Sequence, residues 1–252
     1  MSFAPIIAAL GLPAETLVEQ RVAKKLLVEN GAPTASDKRQ INSGIEELLW
    51  HAALKPANLG VPVYRDALRE YLEVAILTVT FRPAARSMRL IELIHRAIPY
   101  PVLLVAGHGE TVSLSVAHKR WSQGEAGKVV IEELRFTTPF RPESPTAEES
   151  QFLTRLVVGG LPQGNLFALY QGWLDAILTL EAAQISGAFV LPPTAEQSAA
   201  LRESLNERAT GLRDLVLLRS QTEKETQLSR RVELNLAIKR LEVRIAELDA
   251  NL

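Results

Sequence analysis

The chain contains no cysteine. Disulfides, cysteine-ligated zinc, iron–sulfur clusters and thiol nucleophiles are thereby excluded, and the composition suits a reducing cytoplasm. An excess of either charge is lacking too. Lysine and arginine number 28 against 29 aspartates and glutamates, so no global basic field draws the chain onto nucleic acid or a membrane. No run approaches the roughly 18 consecutive apolar residues of a membrane span. The apolar start, MSFAPIIAALGLPAETL, has no basic leader and is broken by Pro5, Gly11 and Pro13, so it does not resemble a signal peptide. The expectation is a cytoplasmic protein without membrane association.

Catalytic signatures are equally scarce. There is no G-x-x-x-x-G-K-[ST] phosphate loop, no G-x-G-x-x-G between strand and helix, no H-E-x-x-H and no G-x-S-x-G elbow. The four histidines, His51, His95, His108 and His118, show no helical i,i+3 or i,i+4 pair of the kind metal sites favour. No metal site and no cofactor are predicted. What is present is ordinary globular material. The 252 residues, 47% of them hydrophobic, can form one large domain or a medium domain with an extension.

The clearest pattern lies near the end. Leu234, Ile238, Leu241, Ile245, Leu248 and Leu252 recur at alternating spacings of four and three, which keeps an apolar stripe on one side of a helix. Such a seam needs a partner helix and is assigned as a partner-binding surface. An earlier stripe, Leu201, Leu205, Leu212 and Leu215, shares the spacing but has Arg208 between. The polar stretch RSQTEKETQLSRR separates the two. It permits either an antiparallel hairpin, which would cover its own stripe, or one long rod. Residues 223–249 carry six basic and six acidic side chains, a balance that suits protein contact better than phosphate tracking.

Upstream, residues 1–40 are expected to form a helical segment, with Leu17, Val22, Leu26 and Leu27 facing inward. Residues 41–140 are expected to form a mixed α/β sheet domain. There, Ser43 and Glu46 have capping-box spacing, and Ile45, Leu48, Leu49, Ala52 and Ala53 then give a helical apolar face ending near Lys55-Pro56. An alternative start at Thr34 or Ser36 lengthens that helix. YLEVAILTVTF (71–81) is apolar on both faces and rich in β-branched residues, as a buried strand should be. A helix over about Ser87–Ala97 and strands in VLLVA, TVSLSVAHK and KVVIEELRF follow. A helical segment at 146–192, capped by Thr146 and Glu149, precedes the terminal helical segment at 194–252, which Thr194 and Gln197 open. The fold class is α+β: a mixed sheet domain, then helices, then a long coiled-coil-like segment.

Two groups of polar residues invite chemistry. Glu73 interrupts an apolar strand, Glu46 and Glu47 precede it on the expected helix, and Lys119 closes a later strand. Carboxylates around Mg²⁺ with a lysine steadying water would make a divergent restriction-type nuclease, although the acid-x-lysine strand signature is missing. A structural ion pair is the plainer reading of Glu73. Arg82, Arg86, Arg89 and Arg96, with Lys119 and Arg120, could contact phosphates and make a DNA-binding module, or form an ordinary solvated face.

Several runs resemble the bacterial family catalogued as domain of unknown function 4391: INSGIEELLWHAALKP (41–56), YLEVAILTV (71–79), IELIHRAIPYPVLLV (91–105), LSVAHKR (114–120) and SRRVELNLAIKRLEVRIAEL (229–248). Members look like companions of helicases and DNA methyltransferases in restriction-like antiviral defence operons. The resemblance therefore implies a non-catalytic accessory subunit of a phage-defence complex, with a helicase or DNA methyltransferase as partner. Any DNA contact would be indirect, and self-association through the C-terminal helices is a further option. It singles out Trp50, Glu73, His95, Pro99, Pro101 and Lys119.

Overall fold

The computed structural model describes residues 3–125 and 128–252. The chain divides into two compact units, Met1–Ile177 and Leu178–Leu252. Each is described by itself.

The first unit is built on a six-stranded sheet in the order β1-β2-β5-β6-β7-β8. Its strands are β1 (Leu17–Arg21), β2 (Ile45–Leu54), β5 (Val74–Phe81), β6 (Val102–His108), β7 (Thr111–Trp121) and β8 (Val129–Phe136). Only β5 and β6 are parallel; the remaining pairs are antiparallel. The parallel pair needs a crossover, and α5 (Ser87–Ala97) supplies it. A small ribbon of β3 (Tyr64–Arg65) and β4 (Glu70–Tyr71) stands apart. The mixed α/β architecture followed by C-terminal helices is the one expected.

One sheet face is covered by α2 (Lys24–Gly31), α3 (Ala35–Gly44) and α5. Leu27, Ile41, Leu90, Ile91 and Ile94 pack there with Ala75, Leu77 and Val79 of β5 and Val102 and Leu104 of β6. Because side chains alternate across a strand, Val74, Ile76, Leu103 and Val105 point to the other face. They are fully buried too, so β5 and β6 are covered on both sides, as their unbroken apolar runs require. Tyr170, near the start of α7 (Leu166–Ser186), ties that helix to the sheet. Its hydroxyl donates to the Val102 carbonyl at 2.7 Å and accepts from the Ala117 N–H at 2.7 Å. Three shorter helices complete this unit's framework, α1 (Ala4–Leu10), α4 (Pro56–Leu59) and α6 (Ala147–Thr154), the last with the predicted Thr146–Glu149 capping box.

The expected helix over Ile45–Ala53 is corrected: these residues form β2, hydrogen-bonded to β1 on one side and β5 on the other. The helix runs instead from Ala35 to Gly44 with Thr34 as its N-cap, which was the alternative start. A Cβ on Gly44 would lie 2.7 Å from Leu90 Cδ1, so the chain must pass α5 without a side chain where the helix ends. Register shifts at Ile45/Glu47 and Trp50/Ala52 move the buried positions out of strict alternation. That is why the segment mimics a helical period. The N-terminal expectation also changes. Leu17 lies in β1 and is about half exposed, as is Leu26; Leu27 is buried and Val22 half-buried.

In the second unit, α8 (Ala195–Lys224) and α9 (Leu228–Ala250) form an antiparallel hairpin. Ion pairs fix its direction: Glu207–Arg244 at 2.9 Å, Arg208–Asp249 at 2.5 Å and Arg219–Glu242 at 2.8 Å. From Glu207 and Arg208 to Arg219 on α8, the partners on α9 step back from Arg244 and Asp249 to Glu242. The polar stretch between the stripes is thus a turn-around, and Thr194 caps α8 through the Gln197 N–H. No helix among the described residues is long and apolar enough to cross a membrane.

Candidate functional site

Four chain segments meet at one end of the sheet in the first unit. Arg69–Glu73 lead into β5 and Pro99–Pro101 into the parallel β6. Antiparallel β7 ends there with Lys119–Trp121, and Val129 opens β8. The register, Ala75 opposite Val102 and Trp121 opposite Val129, brings these ends together. Between them lies a cavity of about 440 Å³ whose walls include Tyr71, Leu72, Pro99, Tyr100, Pro101 and Trp121.

Lys119 is the least expected group in this wall. It is only 5% exposed, and its ammonium donates to the carbonyls of Ile98 at 2.5 Å and Tyr100 at 2.7 Å. These carbonyls lie where α5 hands over to β6, so the lysine holds that connection. Burial pushes the amine down to about 7, because desolvation disfavours the charged form. His95 on α5 bonds Ser115 Oγ through Nε2 at 2.9 Å. Burial, and secondarily the Lys119 charge, holds its imidazole well below the ordinary histidine range. His95 is therefore a neutral core residue.

On another side, the Tyr71 hydroxyl hydrogen-bonds His118 Nδ1, and His118 Nε2 meets Gln171 Oε1 at 2.9 Å. Gln171 then donates to Asp175 at 2.8 Å. Tyr71, His118, Phe167 and Tyr170 form an aromatic cluster around this relay. Burial raises the Tyr71 phenol well above its usual range, leaving it a neutral hydrogen-bonding group. Trp50 stacks on Tyr100 at 5.9 Å between centroids.

The proposed nuclease residues do not all meet. Glu73 and Lys119 share the cavity, but Glu73 is paired with Lys55 at 3.1 Å. Glu46 and Glu47 are on β2, not on a helix, and Glu47 lies opposite Thr80 and binds Arg21. Val74, next to Glu73, lies opposite Leu54. Six residues of strand separate Val74 from Thr80, about 20 Å at strand rise, so these carboxylates occupy opposite ends of the sheet. Among the described residues no three histidine, aspartate or glutamate side chains are grouped to hold a metal.

Of the arginines expected to meet DNA, Arg89 and Arg96 lie on α5, Arg82 and Arg86 precede it, and Arg120 lies on β7. Arg89 holds Asp37 in a two-pronged pair at 2.9 and 3.1 Å and also binds Glu92. Its hydrogen bonds bring the Asp37 carboxyl down to about 2. Arg96 binds Glu92 at 3.0 Å, and Arg82 donates to the Ser43 carbonyl. Arg86 is exposed. Arg120 is half-buried beside the cavity, its guanidinium 3.3 Å from the Trp121 carbonyl.

The terminal seam is corrected as well. Ile245 and Leu248 are buried, and Leu234, Ile238, Leu241 and Leu252 are half-buried. The stripe meets α8 of the same chain instead of standing free for a partner. A second stripe runs along the same helix. Val232, Leu236, Lys239, Val243, Ala246 and Ala250 recur at spacings of four, three, four, three and four, and every one is exposed. At roughly 100° per residue this stripe lies nearly opposite the first. The missed signal is the same heptad spacing, read two residues out of phase.

A family model described as "Domain of unknown function (DUF4391)" matches residues 10–245. The chain belongs to this family. Searches of curated proteins and of solved structures each returned no match. Of the six residues the family resemblance singles out, Glu73, Pro99, Pro101 and Lys119 line the cavity. Trp50 stacks on a fifth wall residue, Tyr100. Arg69, Tyr71, Tyr100 and Trp121 belong to the site without having been picked from sequence, because segments about 20–50 residues apart become neighbours only through strand register.

Proposed function

We propose that the protein is a non-catalytic accessory subunit of a bacterial restriction-like antiviral defence complex. It docks a helicase or DNA methyltransferase through the outward stripe of α9. The observation that carries this reading is that Val232, Leu236 and Val243 are each at least half exposed, on the helix face away from the internal seam. Apolar residues at heptad spacing gain their burial from a facing helix. Here the hairpin satisfies one face of α9 and leaves the other for a second contact. Lys239, within the stripe, would set register and partner choice, as a polar residue in an apolar seam does. DNA contact is then made through the partner, in the cytoplasm. A second copy of the chain is the competing occupant.

Co-expression with a helicase or methyltransferase encoded beside this chain tests the proposal. Wild-type protein should co-purify with one of them, and Leu236→Glu/Val243→Glu should not. A double variant that co-purifies as fully as wild type overturns the docking face. Light scattering on the isolated protein separates the other occupant: a dimer lost in the double variant assigns the stripe to self-association instead.

A further inference from the structure

The cavity at the sheet end has walls and charges that suit an occupant of definite chemistry. Its carboxylates are already neutralised from outside: Glu70 pairs with Arg65 at 2.6 Å and Glu73 with Lys55 at 3.1 Å. Arg69 is balanced by Glu132 at 2.9 Å. Two basic groups remain in the wall: Arg120, and Lys119, whose buried amine an anion would help to hold protonated. Among the described residues their hydrogen-bond partners are backbone carbonyls, not carboxylates. An ammonium has three N–H donors, and Lys119 spends two of them on Ile98 and Tyr100. Positive groups set in a partly desolvated wall are stabilised by an anion.

The rest of the wall is flat and apolar. Trp121, Tyr100, Tyr71, Pro99 and Pro101 surround the space. Trp121 ends β7 with 36% of its surface exposed, although an indole gains most from burial or stacking. The volume of about 440 Å³ lies within the roughly 300–1,000 Å³ of small-molecule sites. We infer that this cavity binds a small aromatic anion, its ring against Trp121 and its phosphate or carboxylate toward Lys119 and Arg120. This site is independent of the docking stripe on α9, and either can fail without the other.

Isothermal titration calorimetry on the full chain decides the matter, with adenosine monophosphate, indole-3-acetate and inorganic phosphate as probes. At least one aromatic anion should bind with a Kd of about 100 μM or tighter. Inorganic phosphate, lacking a ring, should bind at least about tenfold more weakly. Binding of the nucleotide alone assigns a phosphate-bearing ligand, and binding of the indole acid alone assigns a carboxylate. Trp121→Ala and Arg120→Gln, both near the surface, should each weaken the interaction at least about fivefold with melting temperature unchanged. The inference is overturned if neither aromatic anion binds more tightly than about 1 mM. It is equally overturned if phosphate binds as well as they do, or if both variants bind like wild type.

Discussion

A methyl group placed on Gly211 would lie 3.2 Å from Ile245 Cγ1 and 3.4 Å from Ile245 Cδ1. The two helices of the hairpin therefore meet at a point where α8 has no side chain, and Ile245 fills the space. Position 211, not Leu212, lies at the interface: Leu212 is 38% exposed whereas Leu205 and Leu215 are buried. A larger side chain must push α9 away. Gly211→Leu should destabilise the hairpin by about 1–3 kcal/mol through overpacking, despite leucine's better helix propensity. Denaturant unfolding followed by far-ultraviolet circular dichroism measures it. Equal or greater stability would show that the helices are not held at this distance.

Tyr170 makes a different kind of junction, in which one buried hydroxyl serves both the Val102 carbonyl and the Ala117 N–H. Tyr170→Phe keeps the ring and leaves both backbone groups without that partner. Leaving buried groups unsatisfied costs about 1–3 kcal/mol, so the variant should lose about that much stability. An unchanged unfolding midpoint would mean that other groups replace the hydroxyl.

Lys119 links stability to pH. Its amine is lowered from the ordinary 10.5 to about 7 by burial, so between those values the unfolded chain binds the proton and the folded chain does not. Stability should therefore rise as pH climbs from about 7 toward 10.5, by up to about 1.4 kcal/mol per pH unit. Below about 7 the amine is protonated in both states and the slope from this group vanishes. Comparing wild type with Lys119→Met by chemical denaturation at several pH values isolates the effect. Neighbouring His95 does not add to it above pH 7, since its imidazole is neutral throughout. Parallel profiles for the two proteins would refute the linkage.

The legible parts of the fold were those in which a local pattern had a single interpretation. β5 is apolar on both faces and had to be a buried strand. Thr194 with Gln197 and Thr146 with Glu149 are caps whose side chains bond as spaced. Ile45–Leu54 reads as a helix because its register shifts disguise period two, and because its strand character depends on β1 and β5 lying on either side. Arg208 looked like a break in the α8 stripe, yet it reaches Asp249 at 2.5 Å, a partner 41 positions away that no local window contains. The cavity was illegible for the same reason. Glu73 and Lys119 were recognised singly, but only strand register sets them beside Tyr100 and Trp121.

The central claim, that α9 presents a second apolar stripe to a protein partner, is tested most directly by one affinity. The Kd of purified Leu236→Glu for the co-purifying helicase or methyltransferase should be at least about tenfold weaker than that of wild type. Its unfolding free energy should stay within about 0.5 kcal/mol, as for surface changes away from special features. An unchanged Kd would contradict the account.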